Sequence, residues 1–469
     1  MSRESKLAKN TGILAIGTFL PKLASFITLP ILTDCLTKEE MGNYDLITVL
    51  VSLILPTATL QIQSAAFRFL IDIRKDEKKV RTIVSTILTF MIPVSLAALL
   101  ILFFALPGMD PTIKLLICGY YFADIIVNAF RQLARGLEQN LDYSISAIVS
   151  SLCKMIFAVV FVWHFKFGLT GSVIALMGAS TMSLIVIMIR SKLYRYYSIK
   201  YFSKDCLKEM LKYSWPLIPN GMSMWIMRLS DRFVVTFSMG IAANAVYSVA
   251  NKIPSLLNLA QSTFTMAWQE NASIVSKDDD ADKYYSLMFR TMFDLVAGFL
   301  GLLICTTPLL FKLFIRGDYG EAYFQMPVLF IAMFFYSMSS FLGGIYVAYM
   351  KTKSIGITTT AAAICNLVID IALIKFIGLY AASGSTLISY LLLFIFRIVD
   401  VRKMVKITYD KLHMFLVLAV LVVESVLCYL QMPVLNFINI IFGMAIFFWL
   451  NNSLVRAVWT KGMKLVKKH

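Results

Sequence analysis

Little in this sequence is equipped for work on nucleotides, metals or nucleic acids. No GxxxxGK[ST] run and no dinucleotide fingerprint occur, so no phosphate-cradling loop is visible. Three histidines (His164, His413, His469) and seven cysteines without paired spacing supply neither a metal-ligand set nor a disulfide framework. Charged residues are only 15% of the chain and apolar ones 59%, the reverse of what a disordered or nucleic-acid-binding chain needs. The net charge of +17 has no aromatic-basic module or soluble domain to present it to nucleic acid. Nothing resembles a cleavable signal either, so the first apolar segment is expected to be retained.

What fills the chain instead is apolar runs of about 20 residues or more, each long enough to cross a bilayer as a helix. They predict an all-α, polytopic membrane protein of about fourteen spans. The spans are 9–33, 42–70, 82–106, 112–134, 143–165, 170–190, 213–238, 243–270, 284–314, 323–350, 355–376, 379–399, 412–430 and 434–456. With the N-terminus inside, Lys and Arg number 32 in the inner segments and six in the outer ones. The positive-inside rule then places both termini in the cytoplasm.

With residues near the span ends counted in the adjoining segments, Arg397 in an inner one, six cations remain within spans: Lys22, Arg68, Lys154, Arg228, Arg232 and Lys252. A charge at the bilayer centre costs about 2.5–3.5 kcal/mol or more, so such a residue faces a partner or a wet cavity unless it snorkels. Snorkelling or local pairing suits Arg68 and Arg232, near span ends, better than the other four. The intramembrane acids Asp124, Asp231, Asp294, Asp370 and Glu424 are scattered and too few to neutralise the set, which predicts a cationic cavity. In the eighth span Asn244, Ser248, Asn251, Ser255, Asn258, Ser262, Thr265 and Gln269 recur at helical spacing, the pattern of one polar face. Such a face lines water or bonds a neighbouring helix, and its length favours water. A shorter version runs through Asp124, Asn128, Arg131 and Arg135, where Asp124 is either a proton-exchanging carboxyl or a partner of Arg131.

Prolines at 21, 30, 56, 216, 219 and 254 offer kinks. The order around Pro21 and Gln63-Ser64 recurs around Pro219 and Gln261-Ser262, and the turn Lys166-Phe167-Gly168-Leu169 echoes Lys375-Phe376-Ile377-Gly378-Leu379. These echoes predict two pseudo-repeated six-helix lobes, 1–190 and 213–401, and a further helix pair with a basic tail over 402–469. Between the lobes, the link 191–212 sets Leu207, Met210 and Leu211 against Lys204, Lys208 and Lys212, the pattern of a helix lying in the membrane interface.

The stretches Ser230-Asp231-Arg232-Phe233, Asn244 to Lys252, Gly320 to Tyr323, Asn366-Leu367 and Gly378 to Thr386 resemble the polysaccharide-export family. That family is the Wzx-type flippase branch of the multidrug/oligosaccharidyl-lipid/polysaccharide superfamily. The resemblance implies a V-shaped pair of lobes that moves undecaprenyl-pyrophosphate-linked oligosaccharide to the outer leaflet of the bacterial cytoplasmic membrane by alternating access. No cofactor is implied. Membrane lipids, and the glycan polymerase and glycosyltransferases of the same pathway, are the expected partners. The span cations would meet the pyrophosphate, the polar face the sugar hydroxyls, and Asp124 or Asp231 a coupling ion. Three of the four deeper cations are lysines, which leaves open which of them touches phosphate. Alternatives are a lipid II flippase or a drug/cation antiporter of the same superfamily, whose cationic cargo would call for carboxylates. A membrane glycan polymerase or transferase would need a larger outer loop than Arg316–Glu321, and a scaffold would not need buried cations.

Overall fold

The computed structural model describes residues 24–105, 108–215, 217–276 and 278–452, with 17, 20 and 21 beside them. Among these residues every regular element is helical. The first seven are α1 (Ala24–Cys35), α2 (Lys38–Ala58), α3 (Ile62–Ile73), α4 (Glu77–Ala105), α5 (Pro111–Gly136), α6 (Asn140–Phe157) and α7 (Gly168–Ser191). Next come α8 (Lys204–Ser214), α9 (Leu217–Met239), α10 (Ile241–Lys252), α11 (Leu257–Val275), α12 (Ala281–Phe314), α13 (Gly320–Ala348) and α14 (Thr352–Ile377). The last three are α15 (Leu379–Val401), α16 (Lys411–Tyr429) and α17 (Pro433–Leu450). Ten are long and apolar enough to cross a membrane, and side chains such as Phe237 (86% exposed), Phe376 (82%) and Phe104 (75%) face outward. This is a multi-pass membrane protein, with lipid as the solvent of its outer surface.

The helix ends follow local chemistry. Asp110 accepts the Thr112 amide at 2.8 Å ahead of Pro111, whose fixed φ suits the first helical position. Ser203 caps α8 through the Cys206 amide at 3.3 Å, and Asp410 caps α16 through His413 at 3.0 Å. After Lys166 the chain turns at Gly168 (φ +54°), where a Cβ would collide with the Glu40 carboxylate. That carboxylate accepts the Leu169 amide at 3.0 Å and so closes the start of α7 onto α2.

Two expected spans are broken. The run 42–70 is α2 and α3, separated at Leu60 and Gln61, which have positive φ (50° and 57°) that L-residues rarely adopt. The run 243–270 is α10 and α11, joined by a 3₁₀ turn at Pro254–Leu256, because Pro254 lacks the amide that would continue the helix. Tyr44 and Tyr247 lie inside α2 and α10. Over the described residues, the other helices fall within a few residues of their expected limits.

The chain divides into two compact units, Met1–Trp225 and Ile226–His469, with the boundary inside α9. In the first unit α5 packs on α3, α4 and α7, and α6 packs on α7. Its core holds Ile62, Leu70, Val84, Ile87, Phe130 and Leu133, all buried. Met210 of α8 enters this same core, so the face read as lipid-facing is covered by α3 and α4 while Lys204, Lys208 and Lys212 stay exposed. In the second unit α13 is central, packed against α10, α11, α12 and α15, and α16 and α17 pack on α12.

Candidate functional site

Each unit holds a polar network inside its helix bundle. In the first, Arg131 of α5 donates to Ser146 Oγ (3.1 Å) and Ser146 O (3.1 Å) on α6 and to Ser183 Oγ (2.8 Å) on α7. Asp124, two turns earlier on α5, accepts from Asn128 Nδ2 at 3.0 Å and from Ser180 Oγ at 3.4 Å. Hydroxyls, the Asn128 amide and a backbone carbonyl therefore make these hydrogen bonds of the two groups, while Arg131 and Asp124 share a face of α5 close enough to interact through charge. Lys154 of α6 is half-buried, its ammonium 5.6 Å from the centre of the Tyr44 ring in a cation–π placement. Arg135, on the same face of α5 as Arg131, sits over Phe67 at 4.8 Å and Tyr143 at 5.5 Å.

The second unit gathers four helices around a carboxylate. Asp231 Oδ2 on α9 accepts from the Tyr247 hydroxyl of α10 at 2.8 Å and from Thr386 Oγ1 of α15 at 2.7 Å. On α14, Asn366 donates to Ser385 Oγ at 3.3 Å and accepts from Ser230 Oγ at 3.4 Å. One turn along the same face, Asp370 is fully buried and close enough to Asp231 to feel its charge. Asp231 Oδ1 and both Asp370 oxygens make no hydrogen bond among the described residues. A buried carboxyl oxygen without a hydrogen bond is costly unless a proton or a cation satisfies it. The sequence reading named Asp231 and left Asp370 among scattered acids. The available signal was the four-residue step from Asn366 to Asp370, which puts both on one helix face.

The other expected site residues separate. Lys22 lies outside the described residues, as do the side chains of Arg228, Asn258 and Ser262. Arg68 is exposed on α3. Arg232 donates to Ser248 Oγ at 3.0 Å, and Lys252 is half-buried at the end of α10. Pro254–Leu256 forms a 3₁₀ turn within the stretch from Asn244 to Gln269. Asn244 and Ser248 are buried, Asn251 and Ser255 bond their own helix backbone at 3.0 and 2.7 Å, and Thr265 bonds Gln261 O at 2.8 Å. Gln269 is half-buried on α11. Arg397, assigned by the sequence to an inner loop, is inside α15 and 6% exposed, with Nη1 donating to Ser339 O at 2.6 Å and Nη2 to Thr359 Oγ1 at 3.0 Å. Another acid, Glu424 of α16, is buried between Gly301 and Gly443, and neither of its carboxyl oxygens is bonded among the described residues.

The family model described as polysaccharide biosynthesis protein matches residues 7–269, more than half of the 469-residue chain. The chain belongs to that family. No curated protein matches this family member in sequence. Among solved structures it is similar to a lipid II flippase, MurJ, in an inward closed conformation, with a TM-score of 0.75, 14% identity, and coverage of 95% of this chain and 99% of that one. It is also similar to an inward-facing multidrug resistance MATE transporter of the MOP superfamily, at 0.65 and 15% identity over 86% and 94% of the two chains. A MOP superfamily transporter from Pyrococcus furiosus aligns at 0.58 and 15% identity over 85% and 95%. These likenesses give this polysaccharide biosynthesis protein the fold of the MOP transporters.

Proposed function

We propose that this protein is a flippase that moves undecaprenyl-pyrophosphate-linked oligosaccharide from the inner to the outer leaflet of the bacterial cytoplasmic membrane by alternating access, with both termini in the cytoplasm. The observation that carries this reading is the set of half-buried cations Lys154, Arg232 and Lys252 within the helices of a polysaccharide biosynthesis family member. In a partly dehydrated site a lysine or arginine holds a pyrophosphate far more tightly than in water. Hydroxyl and amide side chains beside them, such as Asn251 and Ser255, suit sugars. A glycan polymerase and glycosyltransferases would supply and consume the cargo on either side, and the chain itself transports rather than catalyses.

Coupling falls to Asp231 and Asp370, whose unbonded oxygens suit a proton or a small monovalent cation taken up in one state and released in the other. Asp124, already bonded by Asn128 and Ser180, is the weaker candidate. The experiment is depletion of the protein followed by identification of the lipid-linked glycan that accumulates. An undecaprenyl-pyrophosphate oligosaccharide supports the proposal. Accumulated lipid II would favour the second reading, a lipid II flippase, which the similarity to MurJ over nearly the whole chain also suits.

A further inference from the structure

The second unit contains a cavity of about 370 Å³ that the transport reading does not use. It lies where the first turns of α12 meet the start of α16 and the strap 402–410 that precedes it. The strap is fixed to α12, since the Lys406 amide donates to Asp282 Oδ1 at 3.1 Å and the Thr408 amide to Ser286 Oγ at 3.0 Å. The cavity is therefore bounded by fixed walls.

Its depth follows from helix length. Helix α12 has 34 residues, about 50 Å at 1.5 Å per residue, against about 30 Å of hydrocarbon. If α12 is centred in the bilayer, the turns before Arg290 stand at the level of lipid head groups. Basic side chains crowd this end, with Lys283, Arg402, Lys403, Lys406 and Lys411 exposed. Beside the cavity Leu287 (60% exposed), Leu412 (69%) and Phe415 (68%) present apolar surface for acyl chains.

The lining carries charge of both signs. His413 Nε2 lies 2.5 Å from Asp294 Oδ1, which engages that carboxylate, while Arg290 is 4.0 Å from Asp294 Oδ2 with 61% of its side chain exposed. Its guanidinium therefore keeps donors for another anion. Asp410 uses Oδ1 on the His413 amide and is otherwise exposed, and Tyr409 keeps its hydroxyl unbonded among the described residues. Burial pushes the Tyr409 phenol up to about 12, so it stays a donor.

We propose that this cavity binds the head group of a zwitterionic phospholipid, with the phosphate on Arg290 and the ammonium on Asp410. A phosphoethanolamine fits, because its primary ammonium donates hydrogen bonds to a carboxylate and a trimethylammonium cannot. A purely anionic head group would leave Asp410 without a cationic partner.

The test is native mass spectrometry of the full chain in detergent, titrated separately with phosphatidylethanolamine, phosphatidylcholine, phosphatidylglycerol and inorganic phosphate. The proposal expects phosphatidylethanolamine to be retained best, inorganic phosphate not to displace it, and Arg290→Gln and Asp410→Asn each to weaken it by about tenfold, the scale of one charge-assisted hydrogen bond. Both positions are exposed and asparagine still caps a helix, so unchanged thermal unfolding of the variants separates lost binding from lost fold. Equal retention of the three lipids, preference for phosphatidylglycerol, displacement by phosphate alone, or variants that bind as the parent does would each overturn it.

Discussion

Replacing Thr386 by valine removes one hydroxyl while keeping the shape of the side chain, and it acts on the charge that the second unit is built around. Thr386 Oγ1 is 2.7 Å from Asp231 Oδ2 and 2.9 Å from its own Ala382 O, so its single proton divides between a carboxylate and a helix carbonyl. A hydrogen bond to a charged group contributes about 1.5–3 kcal/mol, and leaving the buried acceptor unsatisfied adds its desolvation penalty. Tyr247, at 2.8 Å, still serves the same oxygen, which keeps the expected loss in stability near about 2 kcal/mol. The assay is a double-mutant cycle of Thr386→Val and Asp231→Asn on protein in nanodiscs, read by denaturant or thermal unfolding with lipid-linked glycan transport alongside. Because the amide no longer demands a donor for a charge, the two changes should be non-additive by at least about 1 kcal/mol. Thr386→Val should also lower ion-coupled transport by about tenfold, the equivalent of 1.4 kcal/mol. Additivity within about 0.5 kcal/mol, with transport unchanged, would refute the account of Asp231 as a charge held by Thr386.

Gln at Lys154, Arg232 or Lys252 is expected to cut glycan-lipid export while leaving insertion intact, since an intramembrane charge is costly to insert; export equal to the parent in all three, measured in a complementation strain, would remove the cationic-site reading. Gly301→Val should destabilise by about 2 kcal/mol or more, because a Cβ there already lies 2.8 Å from Glu424 Oε2, and unfolding of Gly301→Val against Glu424→Gln checks it. In a cysteine-free background, Cys at the buried Ser248 should stay unreactive to a hydrophilic thiol reagent while Cys at the half-buried Asn251 and Ser255 reacts; an unbroken helical period of reactivity from 244 to 269 would contradict the break at Pro254. At the start of α5, the hydrogen bonds of Thr112 hold the Asp110 carboxyl below its usual range, so its stabilising effect is present above that range and lost as pH falls through the depressed value. Asp110→Asn should remove that part of the acid-side loss, measured by unfolding against pH.

The span pattern was legible because lipid-facing helices need long apolar runs, and the positions of α4 to α7 and α12 to α17 follow from hydropathy alone. The break between α2 and α3 was not, for Ala58-Thr59-Leu60-Gln61 contains neither proline nor glycine to mark its left-handed residues. Pro254 was visible, but helical spacing was carried across it, and the polar stripe was drawn on a helix that a 3₁₀ turn interrupts there. Arg397 was placed in a loop because it ends a hydrophobic run, although three hydrogen bonds to α13 and α14 draw it inside. The lysine and leucine faces of α8 have the same pattern whether the apolar side meets lipid or α3 and α4, and only packing decides. Asp231 and Asp370 are 139 positions apart in the chain, a separation at which no local periodicity brings two carboxyls together.

The central claim is that this protein carries a lipid-linked oligosaccharide across the bilayer. The most direct measurement reconstitutes the purified chain into proteoliposomes loaded with the glycolipid that accumulates on its depletion, with the sugar tagged and a membrane-impermeant enzyme or lectin added outside. The account predicts that inner-leaflet glycolipid becomes accessible when the parent is present and much more slowly with Lys154→Gln or Asp370→Asn. Accessibility that is the same in protein-free vesicles, or translocation of lipid II but not of the oligosaccharide, would contradict it.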